Sequence, residues 1–99
     1  MKIVRWESDR APDAGALERN LREKGLHPSR QSDRAGAYYP EHSHPHAEIR
    51  WMVRGRLRLG VGGKVTVLGP GDRLELPAHT PHWAEVAGDE DALYICASN

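Results

Sequence analysis

The stretch that decides the reading is Gly36-Ala37-Tyr38-Tyr39-Pro40-Glu41-His42-Ser43-His44-Pro45-His46-Ala47-Glu48-Ile49-Arg50. Residues two apart in a strand point to the same face, so His42 and His44 converge and can share one ion. Imidazole suits iron, nickel, zinc, copper or cobalt, and a carboxylate completes a mixed nitrogen and oxygen donor set. Along a straight strand Glu48 would stand roughly 20 Å from His42. Both reach one ion only if the chain turns between them. Pro45 lies in that gap, and proline interrupts strand ladders. The spacing therefore predicts two antiparallel strands meeting at a bend, with His-x-His on the first and Glu48 on the second. His46 shares the parity of His42 and His44, so parity leaves both His42/His44/Glu48 and His42/His44/His46 open.

A second cluster lies downstream, in Leu76-Pro77-Ala78-His79-Thr80-Pro81-His82-Trp83. His82 opens a strand after a proline-bounded loop, which sets it near the mouth of a barrel and makes it the natural fourth ligand. Three histidines and one glutamate leave one or two positions open on a six-coordinate metal, as substrate or dioxygen requires. The cofactor expected is one divalent transition metal: iron, nickel, manganese, cobalt or zinc. Arg50 has the parity of Glu48 and points inward beside it. A buried guanidinium takes an anionic ligand or an ion pair, here with Glu41 or Glu48.

Outward from these clusters the chain reads as short strands. Arg56–Val61 alternates, Gly62-Gly63 turns, and Lys64–Leu68 alternates back. Gly69-Pro70-Gly71-Asp72 is a tight turn before Arg73–Leu76, and His82–Val86 and Ala92–Ala97 supply two more strands. Lys2–Trp6 reads as a first strand. One helix interrupts the pattern, running from an Asp13 N-cap through Leu17 and Leu21 to a Gly25 terminator. Ile49, Trp51 and Val53 then face out of the barrel, which points to a subunit interface or to cover by the helix. Tyr38 and Tyr39 read as packing beside a turn, Cys96 as a small core residue and His27 as a surface histidine. Arg54, Arg56 and Arg58 read as a solvated charge run.

Ninety-nine residues make one domain, with 1–34 as N-terminal strand, helix and incoming strand and 35–99 as the metal-binding barrel core. Fourteen basic and fourteen acidic side chains cancel, which removes any general bias toward nucleic acid or an anionic membrane. The expected partners are a small-molecule substrate and a second copy of the chain. No apolar run approaches the ~20 residues of a bilayer span. One cysteine forms no internal disulfide, which favours the cytoplasm.

The motifs resemble those of the cupin superfamily. Gly36, His42, His44, Glu48 and Gly55 meet its first motif, and Gly71, Pro77 and His82 its second. His79 replaces the usual glycine after the proline, and Val86 the terminal asparagine. The resemblance implies an all-β, cupin-type double-stranded β-helix (jelly-roll) barrel with one short N-terminal helix. Glu41-His42-Ser43-His44, Glu48-Ile49-Arg50-Trp51 and the second cluster are similar to the metal-binding strands of acireductone dioxygenases. That likeness implies His42, His44, Glu48 and His82 as ligands and leaves His46 outside. It makes Arg50 and Glu41 candidate catalytic residues. Members of that family are considerably longer, so the likeness covers the chemistry-bearing half and little of what contacts substrate. The function expected is metal-dependent dioxygenation of a small enediol-type substrate. A non-catalytic metallo-cupin that binds or senses a small ligand, or an enediol isomerase, are the other classes.

Overall fold

A computed structural model describes residues 1–98; Asn99, the end of the expected barrel core, lies outside the described residues. The elements follow the chain as β1 (Lys2–Val4), α1 (Ala14–Glu23), β2 (His27–Asp33), β3 (Tyr38–His42) and β4 (Glu48–Arg54). Then come β5 (Arg56–Val61), β6 (Lys64–Leu68), β7 (Arg73–Leu76), β8 (His82–Ala87) and β9 (Ala92–Ser98). Two antiparallel sheets result, one ordered β1-β7-β4-β9-β2 and the other β3-β8-β5-β6. From β2 onward every connection except the β5–β6 hairpin crosses between the sheets, as in a jelly roll. At the β5–β6 hairpin Gly62 and Gly63 take φ of 57° and 80°, the two left-handed positions of a type I′ turn.

Alternation along the strands separates two apolar layers. Met52, Leu57, Leu59, Leu68, Leu74, Leu76, Ala84 and Val86 fill the space between the sheets. Trp51, Val53, Ile95 and Ala97 face out of the five-stranded sheet and pack on Ala14, Leu17 and Leu21 of α1. Trp51 is only 8% exposed and Val53 7%. The stripe read as a helix seat or a subunit interface is therefore a helix seat. Asp13 caps α1 by accepting from the Ala16 N–H at 3.1 Å, and Glu18 fastens the helix to β2 through Arg30. The first strand stops at Val4, two residues earlier than expected, because Trp6 leaves the ladder to join the helix layer.

Asp72 anchors that departure. Its carboxylate accepts from the backbone N–H of Trp6 and of Gly69, each at 2.9 Å, and from Arg5 Nη1 at 2.9 Å. Burial pushes the Asp72 carboxyl up, but the two amides and the guanidinium outweigh it and hold it below the usual carboxylate range. A pKa lowered on folding contributes stability that is present above the unfolded value, about 3.9, and is lost as pH falls through the folded one. Wild type should thus lose more stability than Asp72→Asn between about pH 5 and pH 2. Urea midpoints measured across that range check it, and parallel curves would refute it.

Candidate metal centre

Three histidines meet at one end of the barrel. His42 ends β3, His44 lies just beyond it, and His82 begins β8 directly across from His42 in the register. His44 is thus placed by the chain's turn at Pro45 rather than by the strand itself. Ring centroids stand 4.8 Å apart for His42–His44, 4.4 Å for His42–His82 and 5.5 Å for His44–His82. One nitrogen from each lies within 4.8 Å of the others. Nitrogens sharing an ion at about 2.1 Å stand about 3–4 Å apart, so a small inward shift completes the set.

The hydrogen bonds fix which nitrogens face in. His42 Nδ1 is 2.7 Å from the Pro40 carbonyl and His82 Nδ1 is 2.8 Å from that of Thr80. A carbonyl only accepts, so each Nδ1 carries the proton and each Nε2 keeps its lone pair. His82 is 1% exposed, and its Nε2 has no hydrogen-bond partner among the described residues. Burial holds its pKa below the ordinary histidine value, which keeps the ring neutral. A neutral, inward, unpartnered imidazole nitrogen is what an ion requires.

Glu48 starts β4 and brings a carboxylate to the same point from the other sheet. Its oxygens lie 3.7 Å from His82 Nε2 and 4.0 Å from His44 Nε2. Arg50, two residues on and 9% exposed, donates from Nη2 to Glu48 at 3.1 Å. Of the two carboxylates expected for Arg50, the structure supplies Glu48. Glu41 stands exposed on β3 and is not brought to Arg50. His46 is exposed, with its ring stacked on His44 at 5.6 Å, while His27 also lies at the surface. A cavity of about 120 Å³ beside Glu48 is lined by His27, Ser29, His46 and Cys96. Burial pushes the Cys96 thiol up, so it is no ready thiolate.

Behind Arg50 lies a network that patterning did not reveal. The guanidinium sits 5.5 Å from the centre of the Tyr94 ring. The Tyr94 hydroxyl donates to Asp33 at 2.5 Å, and Tyr39 donates to the other Asp33 oxygen at 2.6 Å. Asp33 on β2 thereby joins β9 of its own sheet to β3 of the other. A signal existed: Tyr94 has the inward parity of Ala92 and Cys96, and a buried tyrosine hydroxyl needs a partner. Burial, then the Asp33 bond, pushes the Tyr94 hydroxyl well up, so it remains a donor.

The second cluster carries the one non-glycine residue with positive φ among the described residues, His79 at 61°. Its N–H donates to the His44 carbonyl at 2.7 Å, tying the two histidine-bearing loops together. The φ explains why glycine is usual in this motif position. His79→Gly relieves about 1–2 kcal/mol of left-handed strain against an unfolded-chain entropy of about 0.5–1 kcal/mol. A net gain of roughly 0.5–1 kcal/mol is expected in chemical denaturation, and a loss would refute the strain argument.

Comparison with known proteins identifies the fold. The acireductone dioxygenase of Synechococcus sp. (strain CC9902) is 36% identical over 66 residues, covering 63% of this chain and 35% of the relative. The chain spans 35–38% of the length of the curated relatives it matches. Among solved structures, the DMSP lyase DddQ of Ruegeria pomeroyi DSS-3 superposes with a TM-score of 0.66 at 31% identity, over 75% of this chain and 38% of that one. KdgF of Halomonas sp. superposes with a TM-score of 0.65 at 27% identity, over 74% and 67%. The family description "Cupin domain" matches residues 30–98. Because that match runs from the incoming strand through both histidine clusters to the last strand, the chain belongs to the cupin family.

Proposed function

We propose that the protein is a metal-dependent dioxygenase acting on a small enediol-type substrate, with His42, His44, Glu48 and His82 holding one divalent transition metal. The observation that carries it is His82 Nε2, buried, unpartnered and 3.7 Å from the Glu48 carboxylate. Leaving such an atom without a hydrogen bond costs about 1–3 kcal/mol, which an ion would offset. When bound, the metal supplies a Lewis-acidic, redox-capable centre with coordination positions left open. Arg50 holds Glu48 in place through Nη2, and its Nε, buried without a partner, is free to donate to an enediolate. The Pro40 and Thr80 carbonyls orient the His42 and His82 rings. The acireductone dioxygenase relatives support the reaction class, and the reduced Cys96 accords with a cytoplasmic setting. Among the described residues no helix is long and apolar enough to cross a membrane.

The test is oxygen uptake by protein loaded anaerobically with iron, nickel, cobalt or manganese and then given a small aliphatic enediol. Uptake that disappears in Glu48→Gln supports the proposal. Product formed without oxygen identifies an isomerase instead, and binding without turnover identifies a non-catalytic metal protein.

A further inference from the structure

Among the described residues nothing covers the outer face of the four-stranded sheet. The helix that seals the other sheet does not reach it, since α1 packs on β2 and β9. Three large apolar side chains stand exposed there: Tyr38 at 57%, Val65 at 58% and Val67 at 43%. Trp83 lies among them, half-buried because its indole spreads flat over Gly60 on the neighbouring strand. A Cβ at position 60 would overlap that indole, so the glycine is what flattens it. Tyr38 and Trp83 are neighbours, with ring centroids 6.3 Å apart.

Register gives this face an order. Across the sheet one row reads Tyr38–Glu85–Arg58–Val67 and the next reads Trp83–Gly60–Val65. The first row is apolar at both ends, with an acid and a base in the middle that form an ion pair. Rotation by a half turn about an axis parallel to the strands, between β8 and β5, reverses the row. Tyr38 then meets Val67 of a second copy, and Glu85 meets its Arg58. The indoles, each lying across the axis over Gly60, meet face to face. Arg56, exposed on the same face beside Ala87, meets alanine rather than another arginine. A surface complementary to itself under a two-fold rotation is what an isologous dimer needs.

We propose that this face is the interface of a homodimer, packed sheet to sheet through Tyr38, Val65, Val67 and Trp83 with crossed Arg58–Glu85 pairs. Four strands about 4.8 Å apart and about six residues long present roughly 350–400 Å² a side. That is about half of the ~800 Å² per partner in a standard interface. The dimer is therefore weak and dissociable, in the size class of transient interfaces. β3 and β8 carry His42 and His82 on their inner side, so the second copy backs the metal-facing strands.

Sedimentation velocity on the wild-type chain from about 1 to about 500 µM reads the equilibrium directly. Monomer at the low end and dimer at the high end is expected. Arg58→Glu sets like charges opposite each other and should shift association at least about 10-fold. Glu85→Arg added to it recreates the row in reverse and should restore it. Val67→Lys, at an exposed position, disrupts the apolar end independently should Arg58→Glu unfold the chain. A wild type that stays monomeric to the top of the range overturns the proposal. A dimer indifferent to both Arg58→Glu and Val67→Lys overturns it too, because it would use another face.

Discussion

His82→Ala empties the metal centre: bound metal per chain falls from near one to near zero, and added metal no longer raises the melting temperature. His82 carries the buried, inward nitrogen of the set, and the other histidines are more open to solvent. Binding to the folded state alone stabilises it by RT ln(1 + [L]/Kd), about 2.7 kcal/mol at a hundredfold excess over Kd. For a domain of this size, each kcal/mol moves the melting temperature by about 4–8 °C. Wild type should therefore gain at least about 10 °C on metal addition, and His82→Ala almost nothing. Glu48→Gln separates ligation from packing, since the amide keeps the shape and loses the charge that faces the ion. Its metal affinity should fall about 100-fold or more; the metal-free melting temperature falls too, because the buried Arg50 guanidinium loses its paired carboxylate, so bound metal is the readout. Metal content unchanged in both variants would refute the ligand set.

Gly71→Ala unfolds the outer layer. Gly71 has φ of 88°, which costs an alanine about 1–2 kcal/mol, and the added Cβ would overlap the Trp6 indole. Trp6 is half-buried against the layer between α1 and the five-stranded sheet and donates from Nε1 to the Arg10 carbonyl at 2.8 Å, so a retreat gives up both that packing and that bond. The same turn accepts from Trp51 Nε1 at the Gly71 carbonyl, 2.9 Å away, and donates from Gly71 N–H to the Met52 carbonyl at 2.8 Å. Displacing it disturbs both layers at once. A loss of about 3–4 kcal/mol is expected, a large share of the roughly 5–15 kcal/mol that holds a domain of this length. Thermal melts read it as a drop of about 12–32 °C. A variant within about 3 °C of wild type would show that Trp6 contributes little to the helix layer.

The histidine-bearing end was legible because its signals are local. A bend at Pro45, a proline-bounded loop before His82 and strand parity suffice to bring histidines from two loops to one mouth. Strand parity also put Ile49, Trp51 and Val53 outside, but what covers them depends on where a thin helix lands. Two leucines four residues apart do not specify that landing; Leu17 and Leu21 found their seat on Ile95 and Trp51 through the β9–β4 register. The Asp33–Tyr94–Arg50 line escaped for a similar reason. Its members are distant in sequence, and the pairing of β9 with both β2 and β4 brings them together. Arg50's choice between Glu41 and Glu48 was likewise a matter of facing, settled by β4 carrying both Arg50 and Glu48 inward. The arginine run proved heterogeneous: Arg54 and Arg56 are solvated, while Arg58 is held by Glu85.

The Asp33 carboxylate gripping a tyrosine from each sheet has a mechanical consequence. It is a cross-sheet clamp built from the chain's own side chains, at the end of β2 away from His27. At the mouth the sheets are joined by the chain itself, through residues 43–47 and 77–81, and those two loops by the bond from the His79 N–H to the His44 carbonyl. An ion held as proposed would add a side-chain tie among β3, β4 and β8 at that end. Amide exchange should then slow on metal addition at the mouth-side ends of β3, β4 and β8, and stay unchanged around Asp33.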